Sequence, residues 1–191
     1  TRCNHDHGLD KEQSHTAYWY RNIGSQLTLI ALDTVNRFGG WQGCLHREQF
    51  EWLSHLLDES KDKYVVLTSH HPLENLFNGY APEEERSPAL EEELRRLLEK
   101  HPNVILWFSG HVHDHKITQS RNSDGSHAFW EIRTGSHIDW PQQSRTIEIV
   151  KSNNGKIAIG TVVFDHAGPV VFSGTPDELA DPVALAGLSR L

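Results

Sequence analysis

Asn103-Val104-Ile105-Leu106-Trp107-Phe108-Ser109-Gly110-His111-Val112-His113 is the stretch that decides how this chain is read. Val104 to Phe108 are apolar without interruption, β-branched or aromatic at most positions, and too few for a buried helix. Such a run is a strand covered on both faces. It stops at a glycine, and two histidines follow. Neutral imidazole is a ligand for borderline divalent cations. The same design recurs upstream, where the apolar run Tyr64–Thr68 ends in Ser69-His70-His71-Pro72, and a third patch, Asn4-His5-Asp6, lies near residue 1. Buried strands that deliver ligand-type side chains from their C-terminal ends point to an α/β sheet with its site along that edge.

Outward from these strands, the connections read as helices. Within 47–58, Phe50, Leu53, Leu56 and Leu57 form one apolar stripe. Ser87-Pro88 has the composition of a helix start, with serine as cap and proline at the first helical position. Leu90, Leu94, Leu97 and Leu98 would be its buried stripe, and His101-Pro102 its end. Residues 15–23 and 26–34 read as a hairpin about Gly24-Ser25. Its second strand is apolar at nearly every position through Leu32, as if buried on both faces, and runs into Asp33-Thr34 and the glycine-rich loop 38–43. Residues 74–86 read as a loop, 115–121, 128–134, 144–151 and 156–164 as successive antiparallel strands, and 176–190 as a weak helix or tail. The fold class expected is α/β, a layered sandwich of mixed β-sheets flanked by helices.

Composition narrows the function. The chain has 191 residues, 37% of them hydrophobic, and a net charge of −8. It is globular, and it lacks the basic footprint of a nucleic-acid-binding surface. The acidic balance does not oppose a small phosphate ester, because bound cations reverse the local field. No apolar run reaches the length of a membrane span. Two cysteines, Cys3 and Cys44, allow one disulfide but no disulfide scaffold. The closed cysteine spacing of a structural zinc site is missing.

Each patch carries chemistry. His111 and His113, one residue apart, would point the same way in extended backbone and reach one metal or a pair. In Ser69-His70-His71-Pro72, His70 is the preferred ligand and His71 a substrate contact or a supporting residue. The Asn4 amide oxygen is a candidate ligand. His5 beside it would act as an acid or stabilise charge, and Asp6 would orient that imidazole. Asp33 reads more readily as a turn-capping residue than as a substrate contact. The tryptophans read as core or loop anchors, with Trp140 kept as a rim contact for substrate. His137 and Asp139 are open between lining the site and structuring their loop. Glu83 to Glu85 and Glu91 to Glu93 read as solvated.

The order Asn-His-Asp, then His-His-Pro after a strand, then Gly-His-Val-His after a strand resembles the third, fourth and fifth motifs of the calcineurin-like metallophosphoesterases. Leu32-Asp33-Thr34, Gly43-Cys44-Leu45 and Gln49-Phe50-Glu51-Trp52-Leu53 are similar to its cyclic-nucleotide-phosphodiesterase-like branch. Phe129-Trp130-Glu131-Ile132 and Asp139-Trp140-Pro141-Gln142-Gln143-Ser144-Arg145 resemble a bacterial, largely actinobacterial subgroup exported by the twin-arginine route.

The resemblance implies hydrolysis of a phosphodiester or phosphomonoester at a dinuclear centre. Two divalent ions (Mn, Fe, Zn or Co) would generate a hydroxide and clamp an in-line attack on phosphorus. Asn4, His70 and His111 would hold one metal and His113 the other, with His5 as the acid. The family's first two motifs, Asp-x-His and Gly-Asp-x-x-Asp, do not occur ahead of Asn4, and Cys3 stands where the family has glycine. Residues 1–168 are therefore expected to be the C-terminal part of a metallophosphoesterase domain with its N-terminal strands missing, and 169–191 an extension or helical tail. The alternative is a non-catalytic metal-binding remnant. The partner expected is a small phosphate ester, with self-association through exposed sheet edges. Location stays open between an exported parent, as the subgroup implies, and the cytoplasm.

Overall fold

The computed structural model describes residues 17–122, 125–168 and 173–188. They fall into two compact units, one of residues up to 111 with 116–132, the other of 112–115 with the residues from 133 onward.

The first unit is built on a six-stranded sheet. Its elements are β1 (Trp19–Ile23), β2 (Leu27–Leu32), α1 (Arg47–Glu59), β3 (Tyr64–Ser69), α2 (Glu91–Glu99), β4 (Val104–Ser109), β5 (Lys116–Arg121) and β6 (Ala128–Arg133). The spatial order is β1-β2-β3-β4-β6-β5. β1 and β2 form the antiparallel hairpin, with Ile23 opposite Leu27. β2, β3 and β4 are parallel neighbours. Parallel strands need a crossover, and α1 and α2 supply the two of them. The sheet is thus mixed and flanked by helices, the α/β class expected.

Burial follows the expected periodicities with informative exceptions. Ile30, Leu32, Leu53, Leu57, Leu67, Leu94, Leu98, Val104 and Trp107 form one apolar cluster. β2 is not equally covered on its two faces: Thr28, Ile30 and Leu32 are buried, whereas Leu27, Leu29 and Ala31 are half-buried. In α1 the buried positions are Gln49, Leu53, Leu56 and Leu57, while Phe50 packs at the margin. A polar residue thus occupies the N-terminal end of the apolar stripe.

The second helix starts later than its sequence suggests. Ser87-Pro88 is not its N-terminus; α2 begins at Glu91, with Leu90 at the cap position and no side-chain cap. The cause is non-local. Ala89 exchanges both backbone hydrogen bonds with Leu45, at 3.0 and 2.8 Å, which holds the chain extended there. Arg47 fastens the same segment, donating to the Ser87 carbonyl and pairing with Glu93.

In the second unit, β7 (Gln143–Lys151) and β8 (Ile157–Asp165) form an antiparallel ribbon. The tail expected over 176–190 is two short helices, α3 (Pro176–Ala180) and α4 (Pro182–Leu188). Thr175 and Glu178 close a reciprocal cap at the start of α3, with Pro176 at its first position. Among the described residues no helix is long and apolar enough to cross a membrane.

Candidate metal centre

β3 and β4 end side by side, and their C-terminal loops carry the histidines. The core anchors the first loop directly. Trp107, fully buried, donates its indole N–H to Ser69 Oγ at 2.8 Å, and that hydroxyl donates to the His71 carbonyl at 2.6 Å. The two loops are joined by the Gly110 N–H, which donates to the His70 carbonyl at 3.0 Å. His111 is thereby brought against His70, its Nδ1 lying 3.1 Å from His70 Nε2.

His111 is not in extended backbone, and neither is His113. Their φ angles are +68° and +58°. The expectation that spacing by one residue aligns two side chains along a strand is therefore corrected: both residues are left-handed, a region costly for a side chain with a Cβ. Strain of that kind persists where surrounding structure enforces it, and it concentrates at functional sites.

His71 is placed differently from His70. It is 4% exposed, and both ring nitrogens are engaged. Nε2 lies 3.0 Å from the Trp41 carbonyl, which can only accept, so this nitrogen carries the proton. Nδ1 then accepts from Thr34 Oγ1 at 2.8 Å, and the same hydroxyl accepts from the His71 N–H at 3.2 Å. Burial first of all, with the adjacent His70 charge adding to it, lowers the His71 pKa below that of a free imidazole; the Trp41 hydrogen bond opposes this. The ring is a neutral strut. Gly43 is what admits it, since a Cβ there would lie 2.7 Å from His71 Cγ and 2.7 Å from Leu76.

One nitrogen from each of His70, His71 and His111 falls within 4.8 Å of the others. With both ring nitrogens of His71 engaged by Thr34 and Trp41, the candidate ligands of this group are His70 and His111. Two imidazoles converging from adjacent strand ends fit a borderline divalent cation. Among the described residues no carboxylate joins this group.

Of the tryptophans read as core or loop anchors, Trp41 lies on a loop: the residue is 74% exposed, and its ring stacks on His111 with centroids 5.8 Å apart and planes at 25°. Trp107 is in the core, and Trp52 packs against Tyr18 and Tyr20 as expected. Asp33 structures its turn, Oδ1 accepting from the Val35 N–H at 3.1 Å. Gln49 holds the same residue by its backbone, a contact the sequence analysis missed; a glutamine within an apolar stripe was its signal. Cys44 is a buried free thiol, pushed up to about 11 by burial and by the Asp33 charge.

Asn4, His5 and Asp6, with Cys3, are outside the described residues. In the second unit, the imidazole Nδ1 of His113 pairs with the Asp139 carboxylate. Asp114 pairs with Arg133 at 2.7 Å, His115 Nε2 meets Gln143 Oε1 at 3.0 Å, and His137 meets Ser144 at 2.7 Å. Trp140 is 70% exposed there.

The sequence model of the calcineurin-like phosphoesterases matches residues 1–115. No curated protein matches the chain. Among solved structures, a dimetal phosphatase from Danio rerio is similar at 18% identity and a TM-score of 0.43, over 62% of this chain and 49% of that one. A structure of PhoD is similar at 14% identity and a TM-score of 0.45, over 63% of this chain and 29% of that one. The chain thus spans about half the length of the first and under a third of the second.

Proposed function

The chain belongs to the calcineurin-like phosphoesterase family, and from that premise we propose that it carries part of a dinuclear centre for hydrolysis of phosphoric esters, phosphodiester or phosphomonoester. The observation that carries this reading is the pair of imidazoles at the ends of β3 and β4, with 3.1 Å between Nδ1 of His111 and Nε2 of His70. Asn4, His70 and His111 would hold one metal and His113 the other. When bound, the ions supply Lewis acidity toward the phosphoryl oxygens and a nucleophile drawn from water.

The chain's own residues have separate tasks. His70 and His111 offer lone pairs from rings whose backbones are tied together by the Gly110–His70 hydrogen bond. His71 holds its loop through Thr34 and Trp41, so that His70 is presented outward. Asp139 fixes one ring nitrogen of His113 and so selects which nitrogen faces a ligand. His5 is proposed to protonate the leaving oxygen, with Asp6 orienting it, and Trp140 to touch substrate at the rim. The second reading is a metal-binding module without turnover, for which the grouping of His70, His71 and His111 suffices.

The test is metal content and hydrolysis on the same samples. The chain and its His111→Ala variant are loaded with Mn²⁺, desalted, and assayed with p-nitrophenyl phosphate and bis(p-nitrophenyl) phosphate. Metal retained by the chain and released by the variant, with turnover lost in parallel, is the expected result. Retention without turnover favours the second reading, and equal metal content in both proteins sinks the assignment of His111.

A further inference from the structure

We propose that Trp41 is a stacking platform that makes this site prefer phosphoric esters carrying a flat aromatic ring; the inference rests on the phosphoester reading above and names a substrate class for it. An indole that is 74% exposed leaves a large apolar area in water, a cost that burial against a partner would remove. One side of the ring is turned to His111, at 5.8 Å and 25°.

The platform is held rather than adrift. The Trp41 carbonyl accepts from His71 Nε2 at 3.0 Å. On either side, Asn78 Nδ2 donates to the carbonyls of Gly39 and Gln42, at 2.7 and 3.2 Å. Gly43 donates to the Asn75 carbonyl and accepts from the Asn78 N–H, both at 3.0 Å. Gly39 and Gly40, with φ of +116° and +87°, make the turn that carries the indole out of the fold, in a conformation that other residues rarely adopt. A ring whose backbone is fixed in advance loses little freedom when a second ring stacks on it.

Position supplies the chemistry. The indole centroid lies 5.8 Å from that of His111, so the ester arm of a phosphoryl group held at the His70–His111 pair extends beside the exposed indole. Offset stacking of two flat rings is favourable beyond simple burial. A methyl or other small alkyl arm gains none of it. An aryl group and a nucleobase share the chemistry that Trp41 would recognise.

The experiment uses hydrolysis-resistant probes, so that binding is read without turnover. Phenylphosphonate and methylphosphonate are titrated calorimetrically into the Mn²⁺-loaded chain and into its Trp41→Ala and Trp41→Phe variants. The expected result is a phenyl-over-methyl preference of roughly fivefold in the chain, lost in Trp41→Ala and mostly kept in Trp41→Phe. Equal binding of the two probes by the chain, or a preference that survives Trp41→Ala, overturns the platform and leaves the phosphoester reading standing. Binding of neither probe overturns both.

Discussion

Gln49 grips both backbone polar atoms of Asp33: its Nε2 donates to the Asp33 carbonyl at 2.6 Å, and its Oε1 accepts from the Asp33 N–H at 2.9 Å. The glutamine is 2% exposed and sits on α1, sixteen residues along the chain from the turn it holds. This clamp satisfies the backbone where β2 leaves the sheet, just before Thr34 reaches His71. Gln49→Ala strands both groups, and the expected loss of stability is about 1–3 kcal/mol, read from urea unfolding. A variant as stable as the parent would show that solvent replaces the clamp.

The adjacent histidines should separate cleanly by readout. His71→Phe leaves the Thr34 hydroxyl and Trp41 carbonyl without the ring, and we expect a loss of about 2–3 kcal/mol. His70→Ala removes an exposed ring, and its stability should change by less than about 0.5 kcal/mol while retained Mn²⁺ falls. Denaturation and elemental analysis of both variants check this; a destabilised His70→Ala with normal metal content contradicts it.

Gly43→Ala tests the space that His71 occupies. Its new methyl group would meet the His71 ring and Leu76 at 2.7 Å, both within buried structure. The expected cost is about 1–3 kcal/mol, as for other overpacked sites. An unchanged thermal midpoint would mean that the loop yields without loss.

Cys44 should be inert in the folded chain. It is 0% exposed, and burial raises its thiol to about 11. Because the folded value lies above the ordinary thiol value, the neutral form is favoured by folding; that stabilisation is complete below the ordinary value and lost as pH rises through about 11. Alkylation of the Cys44 peptide by iodoacetamide, followed by mass spectrometry, should be slow in mildly alkaline buffer and fast in urea. Rapid labelling without denaturant would contradict the burial.

Glu131 contributes a pH dependence to the stability of the first unit. Burial raises its carboxyl above 4.5, while Arg95 and a Ser120 hydrogen bond partly oppose this. A raised carboxyl favours the folded state fully below its unfolded value, and that advantage is lost as pH climbs through the folded value. Glu131→Gln should therefore be more stable than the parent at neutral pH, with the gap closing in acid. Urea midpoints across the acid-to-neutral range decide it, and a gap that widens in acid would reverse the sign.

Much of this was legible in residues alone. The uninterrupted run Val104 to Phe108 could bury itself only as a central strand, and the stripe Leu94, Leu97, Leu98 only as a helix lying on a sheet. Local periodicity therefore determined the β–α–β order and brought the His70 and His111 patches to strand ends. What remained was decided by contacts between residues far apart in sequence. Ala89 pairs with Leu45 and so delays α2 to Glu91. Thr34 and the Trp41 carbonyl occupy both nitrogens of His71, while its neighbour His70 is exposed. The Gly110–His70 hydrogen bond joins the two loops where His111 takes left-handed backbone, and the pinned loop around Gly43 sets the exposed Trp41 ring against it. Periodicity reports which face a residue shares with its near neighbours; these outcomes turn on hydrogen bonds and packing between distant loops, which only the closed tertiary structure can form.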